Sequence, residues 1–326
     1  MPGKDLQEQL VKYLTDAHSI EVQALVQMKA APKLAGTDEL ARMYEQHEHE
    51  TKEHKRLVDE RLEALGASTS KLKDVVAGAT AVPFVMFAVS QPDTPGKLAS
   101  HALSYEHMEF AAYELLIRVA ERAGDSDTAS VARTIRAQEQ AMAERIEAHL
   151  EDTVAASLRD QSPDDMREQV VKYLSDAHAI EGQAIQLLER GPKIIGVGEL
   201  AKIMRDHLDE TRAHQQTVAA RLQDLGGSPN KLKDAAMRLG ALNWGGFFQA
   251  QPDTPAKLAG FAHAFEYLEI GGYEQLARVA QRAGDEETVR VAERILAEER
   301  AAAAAIAGQW DNAVDASLDA QGVTVG

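Results

Sequence analysis

The sequence predicts an all-α protein built as two tandem four-helix bundles. Three observations carry that reading. Only 5% of the 326 residues are aromatic and ten are Pro, while Ala, Leu, Glu, Gln and Arg dominate, a helix-forming composition. The chain also repeats itself. "VKYLTDAHSIEVQAL" (11–25) returns as "VKYLSDAHAIEGQAI" (171–185), "QPDTPGKLA" (91–99) as "QPDTPAKLA" (251–259), and "RVAERAGD" (118–125) as "RVAQRAGD" (278–285), at a constant offset of 160 residues. Within each repeat, apolar residues recur at alternating steps of three and four, the period of a half-buried helix.

The elements of the first repeat follow in order. A first helix runs from about residue 4 to 30 and stops before Pro32. A second starts at a Thr37 cap, with Asp38 and Glu39 favourable in its first turn, and ends at Gly66. A connection covers 67–93, with a short helix expected at "KLKDVV". A third helix opens with Thr94 as cap and Pro95 in first position and ends at Gly124. A fourth begins after Asp125 and runs to about Ser157. Two short turns separated by a long crossover are the connectivity of a ferritin-like four-helix bundle. Ser162 and Pro163 read as the cap and first position of the next helix, which divides the chain at 1–160 and 161–326.

Composition excludes several functions. A formal charge of −17 leaves no basic stripe for nucleic acid and disfavours an anionic membrane surface. The absence of Cys removes disulfides, thiolate metal sites and Cys catalysis. "MPGKDLQEQL" lacks the apolar core of a signal peptide, and "VVAGATAVPFVMFAV" (75–89) is too short to span a bilayer. A soluble, cytoplasmic protein is expected.

The chemistry sits where acids interrupt the apolar stripes. The first helix reads Leu10, Leu14, Ala17, Glu21, Leu25, Met28, and the second Leu40, Met43, His47, Glu50, His54, Leu57. The third reads Leu98, Ala102, Glu106, Glu109, Tyr113, Leu116, and the fourth Val131, Ile135, Glu139, Met142, Ile146. The second repeat gives Glu181, then His207, Glu210 and His214, then Glu266 and Glu269, then Glu299. Other polar residues change between copies: His49 becomes Asp209, His101 becomes Phe261, His107 becomes Tyr267 and His149 becomes Gln309. A lone Glu on such a stripe is ordinarily a solvated or snorkelling residue. Burying one unpaired carboxylate costs several kcal/mol, so five at one level of a bundle need protons or cations. Two divalent ions nearly balance them, and oxygen-rich shells with an imidazole suit iron first, with manganese or zinc as alternatives. This reading makes Glu50 the carboxylate that bridges the two metals, with His47 or His54 as a ligand beside it. His18 and His178 read as partners of ligands or satisfied core histidines. Tyr113 and Tyr273 read as packing that could also bond a carboxylate, and Trp244 and Trp310 as packing.

"YEHMEFAAYELLIRVAERAG" (105–124), "FEYLEIGGYEQLARVAQRAG" (265–284) and "HEHETKEHKRLVDERLEALG" (47–66) resemble the YciF-like bacterial stress proteins of the ferritin-like superfamily. The His-x-x-Glu-Thr core of that family falls on His47, Glu50 and Thr51. The resemblance implies a di-metal carboxylate site in a bundle that self-associates. It also carries departures, since the family ordinarily has one bundle per chain. Rubrerythrin-like relatives place a histidine one turn after the fourth-helix Glu, where this chain has Met142 and Ala143. That implies a carboxylate-only shell for the second metal and weighs against rubrerythrin-like peroxidase activity.

The function expected is handling of iron, manganese or reactive oxygen, with oxygen or peroxide as the small partner. An enzyme of this kind would be a di-metal oxidoreductase of ferroxidase, peroxidase or catalase type. The alternatives are a non-catalytic structural stress protein and a small-substrate di-iron oxygenase. The apolar crossovers are expected to pair the repeats as an intramolecular pseudo-dimer, monomeric in solution, with Phe84, Phe87, Trp244 and Phe247 near the interface.

Overall fold

A computed structural model describes residues 2–67, 94–196, 198–228 and 254–323, and every regular element among them is helical. The chain falls into two compact units, Met1–Arg159 and Asp160–Gln321. The first contains α1 (Pro2–Leu34), α2 (Asp38–Ala64), α3 (Thr94–Arg122), α4 (Ser126–Ala148) and α5 (Leu150–Ser157). The second opens with a 3₁₀ turn at Pro163–Asp165, followed by α6 (Met166–Ile195), α7 (Glu199–Asp224), α8 (Thr254–Arg282), α9 (Glu286–Ala307) and α10 (Trp310–Ala320).

Local chemistry sets the helix starts. The Thr37 hydroxyl accepts from the Leu40 N–H at 3.3 Å, and Asp38 and Glu39 lie in the positive first turn of α2. Ser162 and Asp165 form a reciprocal capping box ahead of α6. Gly36 allows the tight α1–α2 turn: its φ is +84°, and a Cβ there would lie 2.9 Å from Pro95 Cγ and 3.0 Å from Ala156 Cβ.

Two boundaries depart from the sequence reading. The first helix does not stop before Pro32 but runs on to Leu34. A proline this close to the end removes one backbone bond without abolishing the helix. The fourth helix is not continuous to Ser157; it breaks at His149, whose φ and ψ are −104° and 12°. The break lets α5 turn back onto α3, where the Ser157 hydroxyl accepts from the Gly96 N–H at 2.9 Å. Ser317 does the same for Ala256 at 2.8 Å. The hydroxyl satisfies an N–H that the start of a helix leaves unpaired.

In each unit the hairpins α1–α2 and α3–α4 (α6–α7 and α8–α9) pack against each other, closely between α1 and α3 and more sparsely between α2 and α4. Leu10, Leu14, Met28, Leu40, Leu62, Leu103, Leu116, Ile135, Met142 and Ile146 fill the first core with negligible exposure. Each bundle surrounds a polar layer at mid-height. The "KLKDVV" helix and the interface expected at Phe84, Phe87, Trp244 and Phe247 lie outside the described residues.

One clasp fixes the far end of each hairpin pair. Asp125 caps α4 by accepting from the Thr128 N–H at 2.9 Å, and Arg61 at the end of α2 donates to Asp125 Oδ2 at 3.0 Å and to Thr128 Oγ1 at 3.0 Å. Arg221, Asp285 and Thr288 repeat it. Asp125→Ala removes the cap and strands the half-buried guanidinium, which should cost about 2 kcal/mol. That corresponds to about 4–8 °C in Tm for a unit of this size. A calorimetric scan in which neither transition moves would show that the clasp holds nothing.

Candidate metal centre

The second helix of each unit determines how the polar layer is assembled. Its buried face in α2 is Leu40, Tyr44, His47, Thr51, His54, Val58 and Leu62. Steps of four, three, four, three, four and four place Thr51 on the core side where the sequence reading had Glu50, and replace Met43 and Leu57 with Tyr44 and Val58. Thr51 can lie inside because its hydroxyl donates to the His47 carbonyl at 2.9 Å. His47 and His54 remain on the seam, two turns apart, with 6.4 Å between ring centroids.

Glu21 from α1, His47 and His54 from α2, Glu106 and Glu109 from α3, and Glu139 from α4 meet in the layer, each nearly without solvent exposure. They form two groups whose ligand-type atoms lie within 4.8 Å of one another: His47, Glu106, Glu109 and Glu139, and Glu21, His54 and Glu139. Glu139 belongs to both. Its Oε2 is 3.5 Å from His47 Nε2 and its Oε1 is 2.8 Å from His54 Nδ1, so each carboxylate oxygen faces one group. The second unit reproduces this with Glu299, whose Oε2 is 3.2 Å from His207 Nε2 and Oε1 2.8 Å from His214 Nδ1. Its groups are His207, Glu266, Glu269 and Glu299, and Glu181, His214 and Glu299.

Glu50, which the sequence reading made the bridging carboxylate, lies outside both groups. It lies at the rim with its side chain 24% exposed, accepting from His47 Nδ1 at 3.0 Å, Arg145 Nη2 at 2.7 Å and Gln46 Nε2 at 3.0 Å. Glu210 likewise stays outside, 3.0 Å from His207 Nδ1. Each group contains one imidazole, where the resemblance implied a carboxylate-only set for the second metal. The two rings turn opposite nitrogens inward. His47 offers Nε2 to the layer and uses Nδ1 on Glu50, whereas His54 offers Nδ1 and uses Nε2 on Gln138 Oε1 at 2.8 Å. A hydrogen bond on one ring nitrogen fixes the direction and tautomer of the other, the arrangement usual behind metal-binding histidines.

The electrostatics explain why such a layer needs protons or cations. Burial, then repulsion from Glu139, pushes Glu21 from 4.5 up to about 8 despite His54 and a bond from Tyr113. Burial likewise raises Glu106 to about 7, with His47 pulling the other way, and burial with the charges of Glu139, Glu21 and Glu106 raises Glu109 well above the carboxylate range. Glu139 is the exception: its burial is outweighed by the bond and charge of His54 and the charge of His47, which hold it low. For His54 the same carboxylates overcome burial and raise the ring to about 9. The second unit follows, with Glu181 at about 8, Glu266 at about 7, His214 at about 9 and Glu299 at about 2.

The donor set fits divalent metals. Both oxygens of Glu109, Oε1 of Glu106 and one oxygen of Glu21 are buried with no hydrogen-bond partner, and the inward nitrogens His47 Nε2 and His54 Nδ1 face Glu106 Oε2 at 3.1 Å and Glu139 Oε1 at 2.8 Å within the same few ångströms. Buried carboxylate oxygens that converge with so few partners are aimed at a common centre, and such groups are rarely left unsatisfied in a native core. Four carboxylates carry four negative charges, and two divalent ions offset them.

Around this layer, the Tyr113 hydroxyl donates to Glu21 Oε1 at 2.5 Å and Tyr273 donates to Glu181, so these tyrosines do more than pack. His18 is satisfied by Asp59, with Nδ1 and Oδ1 2.7 Å apart. Trp310 packs edge-on against His263 at 5.3 Å, while Trp244 lies outside the described residues. Sequence reasoning missed Arg145 and Gln138, which reach the site from the solvent side of α4. A one-dimensional pattern gives no signal for partners that meet only across the α2–α4 seam.

Comparison with known families gives the same tandem division. The family described as "Domain of unknown function (DUF892)" matches the chain twice, over residues 5–159 and 165–319. The chain belongs to the DUF892 family. Each match spans a complete set of the acids and histidines above, so the buried layer is a feature of both DUF892 domains in this chain. No solved structure matches the chain. No helix among the described residues is long and apolar enough to cross a membrane.

Proposed function

We propose that each DUF892 domain is a ferritin-like, carboxylate-bridged di-metal protein of the YciF-like type, loaded with iron or manganese and acting in cytoplasmic metal handling or in the response to oxidative stress. The single observation that supports this most is Glu139, with one oxygen turned to each of two groups that share it, and its repetition in Glu299. In this reading Glu106, Glu109 and His47 would hold one ion, Glu21 and His54 would hold the other, and Glu139 would serve both groups. Imidazole with carboxylate oxygen suits iron and manganese, and zinc less specifically. Metal in such a shell supplies Lewis acidity and, for iron or manganese, redox chemistry toward oxygen or peroxide.

The chain's own residues contribute position and charge. His47 and His54 are oriented by Glu50 and Gln138, and the Tyr113 hydroxyl holds Glu21. Apolar side chains above and below exclude water, which strengthens every charge interaction in the layer. The four protons or positive charges that the carboxylates demand are exchanged when metal enters, so loading releases protons.

Metal analysis of protein purified without chelator, then stripped and reloaded, tests the reading. About two ions per domain are expected, hence about four per chain, with protons released on reloading. A stripped protein that takes up no divalent ion at micromolar concentration would reject it.

A further inference from the structure

The two sites share their inner residues but not their rims. At the first, the Glu50 carboxylate is paired with Arg145 at 2.7 Å, and the group behind His54 is the neutral Gln138. At the second, the position equivalent to Arg145 is Ala305 and the position equivalent to Gln138 is Glu298. Glu298 Oε2 lies 2.5 Å from His214 Nε2 with its side chain 42% exposed. Glu210 keeps only its contact with His207 and is 55% exposed, against 24% for Glu50. Among the described residues, neither Glu210 nor Glu298 has a Lys or Arg within ion-pair distance. One rim is thus a carboxylate matched by a guanidinium, and the other is two carboxylates with no cation.

We infer that the two sites are functionally unequal, and that Glu210 and Glu298 make the second domain the faster acceptor of divalent cations. This rests on the di-metal reading above. Two partly exposed carboxylates beside the histidines of a low-dielectric site raise the local concentration of cations and their rate of entry, an effect that ranges from 10-fold to about 1,000-fold and weakens with salt. The guanidinium of Arg145 opposes approach through the first rim and holds Glu50 on His47. Glu298 also places a full carboxylate behind His214, which makes that imidazole a stronger donor than the one backed by Gln138. The second domain is built to capture cations and the first to hold them behind a rim whose charges are paired.

Stopped-flow mixing of the metal-free full chain with Co²⁺, followed by visible absorption of the bound ion, tests this without any assay of turnover. Glu139→Gln silences the first site and Glu299→Gln the second, so each variant reports the other. At low ionic strength the second site should load at least about tenfold faster than the first, with the gap narrowing as salt is added. Exchanging the rims should exchange the rates. Glu298→Gln with Ala305→Arg should slow the second site, and Gln138→Glu with Arg145→Ala should speed the first. The rim positions reach solvent, and either pair of substitutions made alone in the otherwise unaltered chain should make the two rims alike and merge two kinetic phases into one, which covers a silenced variant that fails to fold. Equal rates at low salt, or rates indifferent to the rim exchange, would overturn the inference and leave the di-metal reading intact. Failure of the unaltered chain to bind Co²⁺ at all would instead overturn that reading, and this inference with it.

Discussion

Glu139→Gln should empty both metal positions of the first domain and leave the second domain loaded, halving the metal content of the chain. The substitution keeps the side chain's shape but removes the charge and one oxygen acceptor from the residue that both groups share. Each group then loses an anion at once, and neither can borrow from the other. Glu50→Ala should behave differently. Of the residues in the polar layer Glu50 touches only His47, at its outward nitrogen, so its loss loosens a ring without deleting a donor. A cost of about 10–100-fold in affinity at unchanged stoichiometry is expected, the usual penalty for groups behind a metal-binding histidine. Metal analysis with affinity measurements on the two variants separates the roles. Should Glu50→Ala empty the domain while Glu139→Gln retains its metal, the bridge has been assigned to the wrong residue.

Stripping the metal should lower the melting temperature by about 10–20 °C at pH 8 and by much less at pH 5. Two sites per domain, each at a hundredfold excess of ion over its Kd, contribute about 5 kcal/mol together, and about 2–4 °C follow each kcal/mol in a domain of this size. The sign with pH comes from the buried groups. Glu21 and Glu106 titrate near 8 and 7 when folded but near 4.5 when unfolded. Between those values the metal-free folded state holds protons that the unfolded chain has released, so its stability falls as pH rises. His54, raised from 6.5 to about 9, adds to the same trend: its contribution is complete below 6.5 and lost as pH rises through 9. Glu139, held low, works oppositely, but only as pH falls below 4.5. Protons therefore substitute for metal in mild acid and do so progressively less as the pH rises through 7 and 8. Calorimetry of loaded and stripped protein at the two pH values measures both gaps. A gap equal at pH 5 and pH 8 would show that these carboxylates do not share a site with the metal.

The sequence by itself determined the helices, their duplication and the chemistry of the layer between them. Period and composition are local properties, so Glu21, Glu106, Glu109 and Glu139 could be placed on buried stripes from spacing alone. Identity at the 160-residue offset showed which of them both copies keep. Tertiary structure decided which acid lies between the groups. On α2 the steps of three and four admit two stripes a residue apart, and only packing against α1, α3 and α4 selects Thr51 over Glu50 for the inside. The place of Glu139 between the two groups depends on two histidines two turns apart on another helix, each turned by a partner of its own. The rims depended on it most, because Arg145 and Gln138 come from α4 and meet α2 only across the seam between them. Periodicity fixes which face of a helix is buried; which residues of four separate helices meet at one height is set by how those helices pack.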